Sequence, residues 1–168
     1  MFDIQDVIDI IKTSESIGVK LWVTGGWGVD ALICRQARPH SDIDIFIQKE
    51  DAPAFLEMLT TKGYSENTEK STETQPVWTD FCGRTVDMKL FEFKDTATII
   101  FENNEYPFEI FNGQGIIGGI KVDCMPAEAQ LRYRQGYERK ENDIHDLLLL
   151  CKHFGFKVPP EYNAGETE

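Results

Sequence analysis

The sequence is short of basic residues, has few histidines and lacks any close pair of cysteines. Seventeen Lys and Arg stand against 29 Asp and Glu, a net charge of −12. Phosphate contacts need Lys and Arg clusters and none is evident, which argues against nucleic acid and favours cationic partners or bound metal ions. Cys34, Cys82, Cys124 and Cys151 are widely spaced with no CxxC. That spacing speaks for free thiols in a reducing compartment over disulfides or a zinc site. No run approaches the roughly 20 apolar residues that cross a bilayer, so no membrane partner is expected. The opening segment MFDIQDVIDIIK carries acids where a signal peptide has a basic stretch, and a cytoplasmic protein is expected.

What is present describes an ordinary globular chain. Its 168 residues are 41% hydrophobic and 27% charged, enough to bury roughly two-thirds of the unfolded surface in one core. A single domain over residues 1–158 is expected, followed by a polar, disordered tail over 159–168.

Apolar residues at helical spacing over Ile4 to Ile11 predict a helix that stops at Gly18. Lys20 to Val23 reads as a buried strand ending at Gly25-Gly26, and Trp27 to Ile33 as a helix that cannot pass Pro39. Asp42 to Ile47 reads as a strand, and a helix capped by Asp51 buries Phe55, Leu56 and Leu59 before Gly63. Residues 65–75 read as loop. Further strands are expected at Thr85 to Phe91, Ala97 to Phe101 and Tyr106 to Ile110, with a hairpin at Gly118-Gly119. Helices at Ala127 to Tyr137 and Asn142 to Phe154 follow. The order implies an α+β fold: a sheet with helices packed on one face and C-terminal helices.

Three acids lie where a core strand avoids charge. Asp42 and Asp44 are two residues apart on one strand and so share a face, while Ile43 and Ile45 point into packing. Carboxylates this close repel each other unless a cation neutralises them, and a hard divalent ion, most simply Mg²⁺, does so. Asp87, between Val86 and Met88, joins them if its strand pairs beside the first. An isolated DxD is more often a polar strand edge; the third acid and the segment upstream change that balance. Upstream, Thr24-Gly25-Gly26-Trp27-Gly28 stands between a strand and a helix. Glycines there admit a phosphate to the backbone, and the helix N-terminus supplies N–H donors. The spacing matches neither the Walker nor the dinucleotide fingerprint. Cradle and acids together describe metal-assisted phosphoryl or nucleotidyl transfer.

The segments GGWGVDAL (25–32) and RQARPHSDIDIFI (35–47) resemble the small antibiotic nucleotidyltransferases, the lincosamide and aminoglycoside 2″-type adenylyltransferases of the polymerase-beta-like superfamily. VDMKLF (86–91) and the segment 126–150 are similar to that family's third-acid strand and C-terminal helices. The resemblance implies a nucleotidyltransferase-like mixed sheet. It also implies Mg²⁺, in two ions, and ATP or another NTP as donor. By position, Gly25 and Gly26 would hold the triphosphate, Asp42, Asp44 and Asp87 the metal, and Asp87 would act as general base toward an acceptor hydroxyl. Arg38 and His40 would contact phosphate or the metal surroundings, although His40 serves equally well as a loop residue. Lys140 would meet the triphosphate unless it is a solvated surface lysine. Relatives often carry His-Pro after the third acid, where Met88-Lys89 stands here, and this puts the acceptor pocket in question. Trp27, Trp78, Tyr133 and Tyr137 are candidates for pocket lining or, more often at such spacings, core. A homodimer that completes the acceptor site is a further expectation from the resemblance.

Three functions follow. The first is transfer of AMP to a small-molecule hydroxyl, on an aminoglycoside or lincosamide antibiotic, with release of pyrophosphate. The second changes the acceptor to a protein or tRNA. The third is a non-catalytic nucleotide-binding module of the same fold.

Overall fold

A computed structural model describes residues 1–133 and 140–162. The elements are α1 (Ile4–Ser16), β1 (Leu21–Thr24), α2 (Gly25–Leu32), β2 (Asp42–Gln48), α3 (Ala52–Thr61), β3 (Tyr64–Glu66), β4 (Val77–Asp80), β5 (Thr85–Phe93), β6 (Thr98–Phe101), β7 (Asn104–Pro107), β8 (Gly113–Ile117), β9 (Ile120–Cys124), α4 (Ala127–Tyr133) and α5 (Glu141–Phe154). The main sheet runs β3-β4-β5-β2-β1-β9-β8, with β6 and β7 extending from the far end of β5. It is mixed: β2 runs parallel to β5 and β1 parallel to β9, whereas the other neighbours are antiparallel. This is the expected α+β sheet.

The two-residue period of the strands divides the sheet into two chemically different faces. In register, Val23, Ile45 and Met88 lie side by side, as do Leu21, Ile47 and Leu90. All are buried against α1 and α3 through Val7, Ile11, Phe55 and Leu59. The opposite face carries Trp22, Phe46 and Phe91, which form a second cluster with Phe111, Ile110 and Ala129. Trp22 stacks on Phe111 with ring centroids 4.7 Å apart. Farther along that same face stand Thr24, Asp44 and Asp87, paired across β1, β2 and β5. One face is therefore core; the other is aromatic at one end and acidic at the other.

α1 begins with reciprocal bonds: Asp6 N–H donates to Asp3 Oδ1 at 2.8 Å, and Asp3 N–H to Asp6 Oδ2 at 3.0 Å. Asp51 precedes α3 but its side chain makes no capping bond, so that expectation fails; Pro53 in the first turn, without an N–H, fits the start instead. Two short strands at either end of the expected loop 65–75 were not foreseen. Tyr64–Glu66 and Val77–Asp80 pair with each other at the sheet edge, and only Tyr64, Val77 and Asp80 of them are buried, too little alternation to read from sequence. The expected strand Tyr106 to Ile110 ends at Pro107 and becomes a 3-10 turn over Phe108–Phe111. Pro107 supplies no N–H to continue a ladder, and the turn delivers Phe111 to the aromatic cluster. The expected helix from Ala127 is described as far as Tyr133; its last residues, including Tyr137, and tail residues 163–168 lie outside the described residues. The four cysteines are free, Cys124 and Cys151 buried.

Candidate active site

β2 and β5 run parallel with Asp44 directly beside Asp87, and Asp42 lies one pleat earlier on the same face. They border a cleft of about 710 Å³ that is also walled by Gly25, Gly26, Arg38, Tyr106 and Tyr133. Asp42 reaches solvent at the mouth but is hemmed in by protein; burial and then the neighbouring Asp44 charge raise its pKa. Burial likewise raises Asp87, partly offset by Lys89 and reinforced by Asp44 and Asp42. The Oδ1 atom of Asp87 is buried without a hydrogen-bond partner.

The sequence reading gave Lys89 no role in the site. It follows Asp87 by two residues and therefore projects from the same face of β5. Its ammonium donates to Asp44 Oδ1 at 2.8 Å and stands 3.7 Å from Asp87 Oδ1. Burial works against its charge, but the two carboxylates outweigh that and hold its pKa above the ordinary value. The strand acids are thus in register but do not by themselves close a ligand shell. Among the described residues, no group of three or more His, Cys, Asp or Glu is gathered to hold a metal ion. The donor set still suits a hard divalent cation, because three oxygen-rich anions face one space, one oxygen lacks a bond partner, and a cation is already drawn in.

The glycine corner is set by close approach. Gly25 has φ +61°, and a Cβ there would lie 2.1 Å from Asp44 Oδ2; at Gly26 it would lie 2.5 Å from the His40 ring and 2.6 Å from Arg38 Nη2. Only glycine lets Asp44 and the Arg38 guanidinium crowd the first turn of α2. Arg38 is fixed there by Asp146 of α5, which accepts from Nε at 2.9 Å and from Nη2 at 2.8 Å.

A family model of aminoglycoside-2″-adenylyltransferases matches residues 6–150. The chain belongs to this family. This chain is 27% identical over 150 residues to a lincosamide resistance protein of Staphylococcus haemolyticus, covering 87% of this chain and 92% of that one. A 2″-aminoglycoside nucleotidyltransferase of Escherichia coli is 36% identical over 53 residues, 30% of each chain. Among solved structures, the lincosamide antibiotic adenylyltransferase LnuA with lincomycin bound superposes with a TM-score of 0.76 at 26% identity, over 87% of this chain and 94% of that one. ANT(2″)-Ia in complex with adenylyl-2″-tobramycin matches with a TM-score of 0.74 at 20% identity, over 90% and 89% of the two chains, a likeness of fold. The enzyme is a nucleotidyltransferase.

Not every expected residue of the nucleotidyltransferase stands in the cleft. His40 is buried, 1% exposed, its Nε2 2.6 Å from Asp30 Oδ2 and its ring 4.8 Å from that of Trp27. Its ring is committed to the interior, so the phosphate contact expected of it is corrected to a structural one. Asp30 also accepts from Ala37 N–H at 3.0 Å, so this buried pair holds the loop that carries Arg38 and leads to Asp42. Trp27 is core, and Trp78 packs half-buried on the opposite face; neither lines the cleft. Tyr133 does, its ring 5.4 Å from Tyr106. Lys140 lies at the start of α5 on the cleft wall.

Lys89 and Asp146 are the residues that sequence reasoning missed. Lys89 was legible from its two-residue spacing to Asp87. Asp146 shares a helical face with Leu147 and Leu150, both fully buried, and an acid on an apolar face signals a buried partner. No helix among the described residues is long and apolar enough to cross a membrane.

Proposed function

We propose that the enzyme moves AMP from ATP, with Mg²⁺ bound by Asp42, Asp44 and Asp87, to a hydroxyl of an antibiotic of the lincosamide type, releasing pyrophosphate. The observation that carries this is the in-phase pairing of Asp44 with Asp87 beside the glycine corner. Bound there, divalent ions would neutralise the triphosphate and polarise the α-phosphorus. Gly25 and Gly26 open α2 at the border of the cleft, where its N-terminal N–H groups and dipole favour an anion such as the triphosphate. Arg38, oriented by Asp146, and Lys140 add positive charge along the cleft. Asp87 accepts the proton of the attacking hydroxyl, and its raised pKa brings it closer to the working range of a general base. ATP as donor places the reaction in the cytoplasm.

The lincosamide reading is supported by the longer of the two curated-sequence likenesses, over 150 residues, and by the cleft wall of Phe101, Tyr106, Ile110 and Tyr133, which suits a partly apolar acceptor. A second reading, an aminoglycoside acceptor, is favoured by the net charge of −12, which attracts a polycation. Labelled ATP, Mg²⁺ and a panel of lincosamides and aminoglycosides separate the two. Pyrophosphate release and a labelled lincosamide are expected; labelling of aminoglycosides alone supports the second reading, and no transfer to either class refutes both.

A further inference from the structure

Lys89 has a chemical position that ion-pair geometry alone leaves unexplained. Its side chain is 21% exposed, and it lines the cleft together with the acids. It approaches oxygens of Asp44 and Asp87, which are two of the atoms a divalent cation would need. An ammonium and a divalent ion cannot hold the same carboxylates without strong mutual repulsion. Whichever binds, the other must leave. Lysine has a flexible four-carbon stem and carries its charge as a point, so it can change partners with little backbone movement. A cation displaced into this cleft finds a new partner in a phosphate drawn to the N-terminus of α2, which borders the same cleft.

We propose that Lys89 is a tethered cation that competes with the divalent ion for Asp44 and Asp87 and is relocated to a phosphate oxygen when the nucleotide arrives. The consequence is coupling. Metal alone must evict Lys89 from both carboxylates, whereas nucleotide offers the ammonium a phosphate partner and so favours metal binding. By linkage the coupling is mutual: metal strengthens nucleotide binding by the same factor. Lys89 thereby offsets part of the cleft's negative charge before substrates bind, and the cleft resists loading with metal alone. This inference rests on the metal assignment above, and its test separates the two.

Mn²⁺ binding is measured by loss of the free-ion paramagnetic resonance signal, with and without a non-hydrolysable ATP analogue. The wild type, Lys89→Met and Lys89→Arg are compared, with unfolding followed in EDTA and in Mn²⁺. Without nucleotide, K89M is expected to bind Mn²⁺ about tenfold more tightly than wild type, since a unit charge at contact distance in a partly solvated site exceeds that effect. The analogue should tighten Mn²⁺ binding to the wild type and to K89R, and do so much less in K89M. In EDTA, K89M should unfold at a lower temperature than wild type, and Mn²⁺ should restore it. Equal Mn²⁺ affinity in K89M and wild type, both binding, overturns the competition while leaving the metal site intact. Absence of Mn²⁺ binding in every protein, with analogue present, overturns the metal assignment and this inference with it. Should K89M fail to fold, Lys89→Gln, which keeps a polar donor without charge, carries the same expectations.

Discussion

Arg38 and Asp146, 108 residues apart in the chain, meet in a two-pronged ion pair, Nε to Oδ1 at 2.9 Å and Nη2 to Oδ2 at 2.8 Å. Asp146 is buried and its carboxyl also lies 3.3 Å from His145 Nδ1. The pair pins α5 to the corner where β1 turns into α2, so this helix forms one wall of the cleft. A planar guanidinium fits this bidentate geometry where lysine would not.

Asp146→Ala leaves the guanidinium without its partner in a mostly buried setting. Losing one half of a buried pair costs about 3–5 kcal/mol, and partial exposure of Arg38 moves the expectation to about 2–3 kcal/mol. Urea unfolding measures this, and KM for ATP should rise in the same variant because Arg38 is no longer held at α2.

Gly25→Ala places a methyl 2.1 Å from Asp44 Oδ2 at a residue with φ +61°. Left-handed backbone with a side chain costs about 1–2 kcal/mol, and Asp44 must move. Transfer activity should fall by about 100-fold or more, a loss typical of a misplaced catalytic group, with a smaller fall in the unfolding midpoint. A variant with wild-type turnover would refute the close-approach argument.

Asp42→Asn should be inactive yet no less stable than wild type without added metal. Burial and Asp44 raise the folded pKa of Asp42, so its ionised form opposes folding above the ordinary carboxylate range; the favourable contribution exists only at lower pH and is lost as pH rises through the raised value. Thermal unfolding at neutral pH in EDTA checks this. A clear loss of stability in Asp42→Asn would contradict the repulsion.

Away from the cleft, Arg84 bridges Asp6 of α1 and Asp80 of β4, donating from Nε to Asp80 at 2.7 Å and from Nη1 to Asp6. Burial acts to raise both carboxyls, but hydrogen bonds and charge from Arg84 outweigh it and hold both below the ordinary value of 3.8. Their contribution is fully present above about pH 4 and drains as pH falls through the depressed values. Arg84→Met should lose about 2 kcal/mol at pH 7, less than a fully buried pair because Arg84 and Asp6 are partly exposed, and should lose less further stability on going from pH 6 to pH 3 than wild type. Parallel urea titrations at several pH values test it.

Much of the site was visible along the chain because it is written in short periods. The DxD, the lone strand acid and the glycine corner are local patterns, and the structure places all of them around one cleft. His40 was misjudged because its closeness in sequence to Asp42 said nothing of the Asp30 carboxylate that faces it from α2. Strands Tyr64–Glu66 and Val77–Asp80 were missed because short strands with one or two buried residues have no periodic signature. Tyr106 to Ile110 misled because apolar and aromatic residues suit a 3-10 turn over a cluster as well as a strand.

By itself the sequence determined which side chains share a face: the pleat alternates every residue, so Asp42 with Asp44, and Asp87 with Lys89, project together wherever their strands lie. Only the tertiary structure decided that β2 and β5 are neighbours and that they pair in phase, with Asp44 against Asp87. Strand order is set by which apolar faces bury one another across long stretches of chain, and a slip of one residue would have turned the acids of one strand toward the core. The same long-range packing brought Asp146 to Arg38 and Asp30 to His40, pairs that local periodicity does not encode.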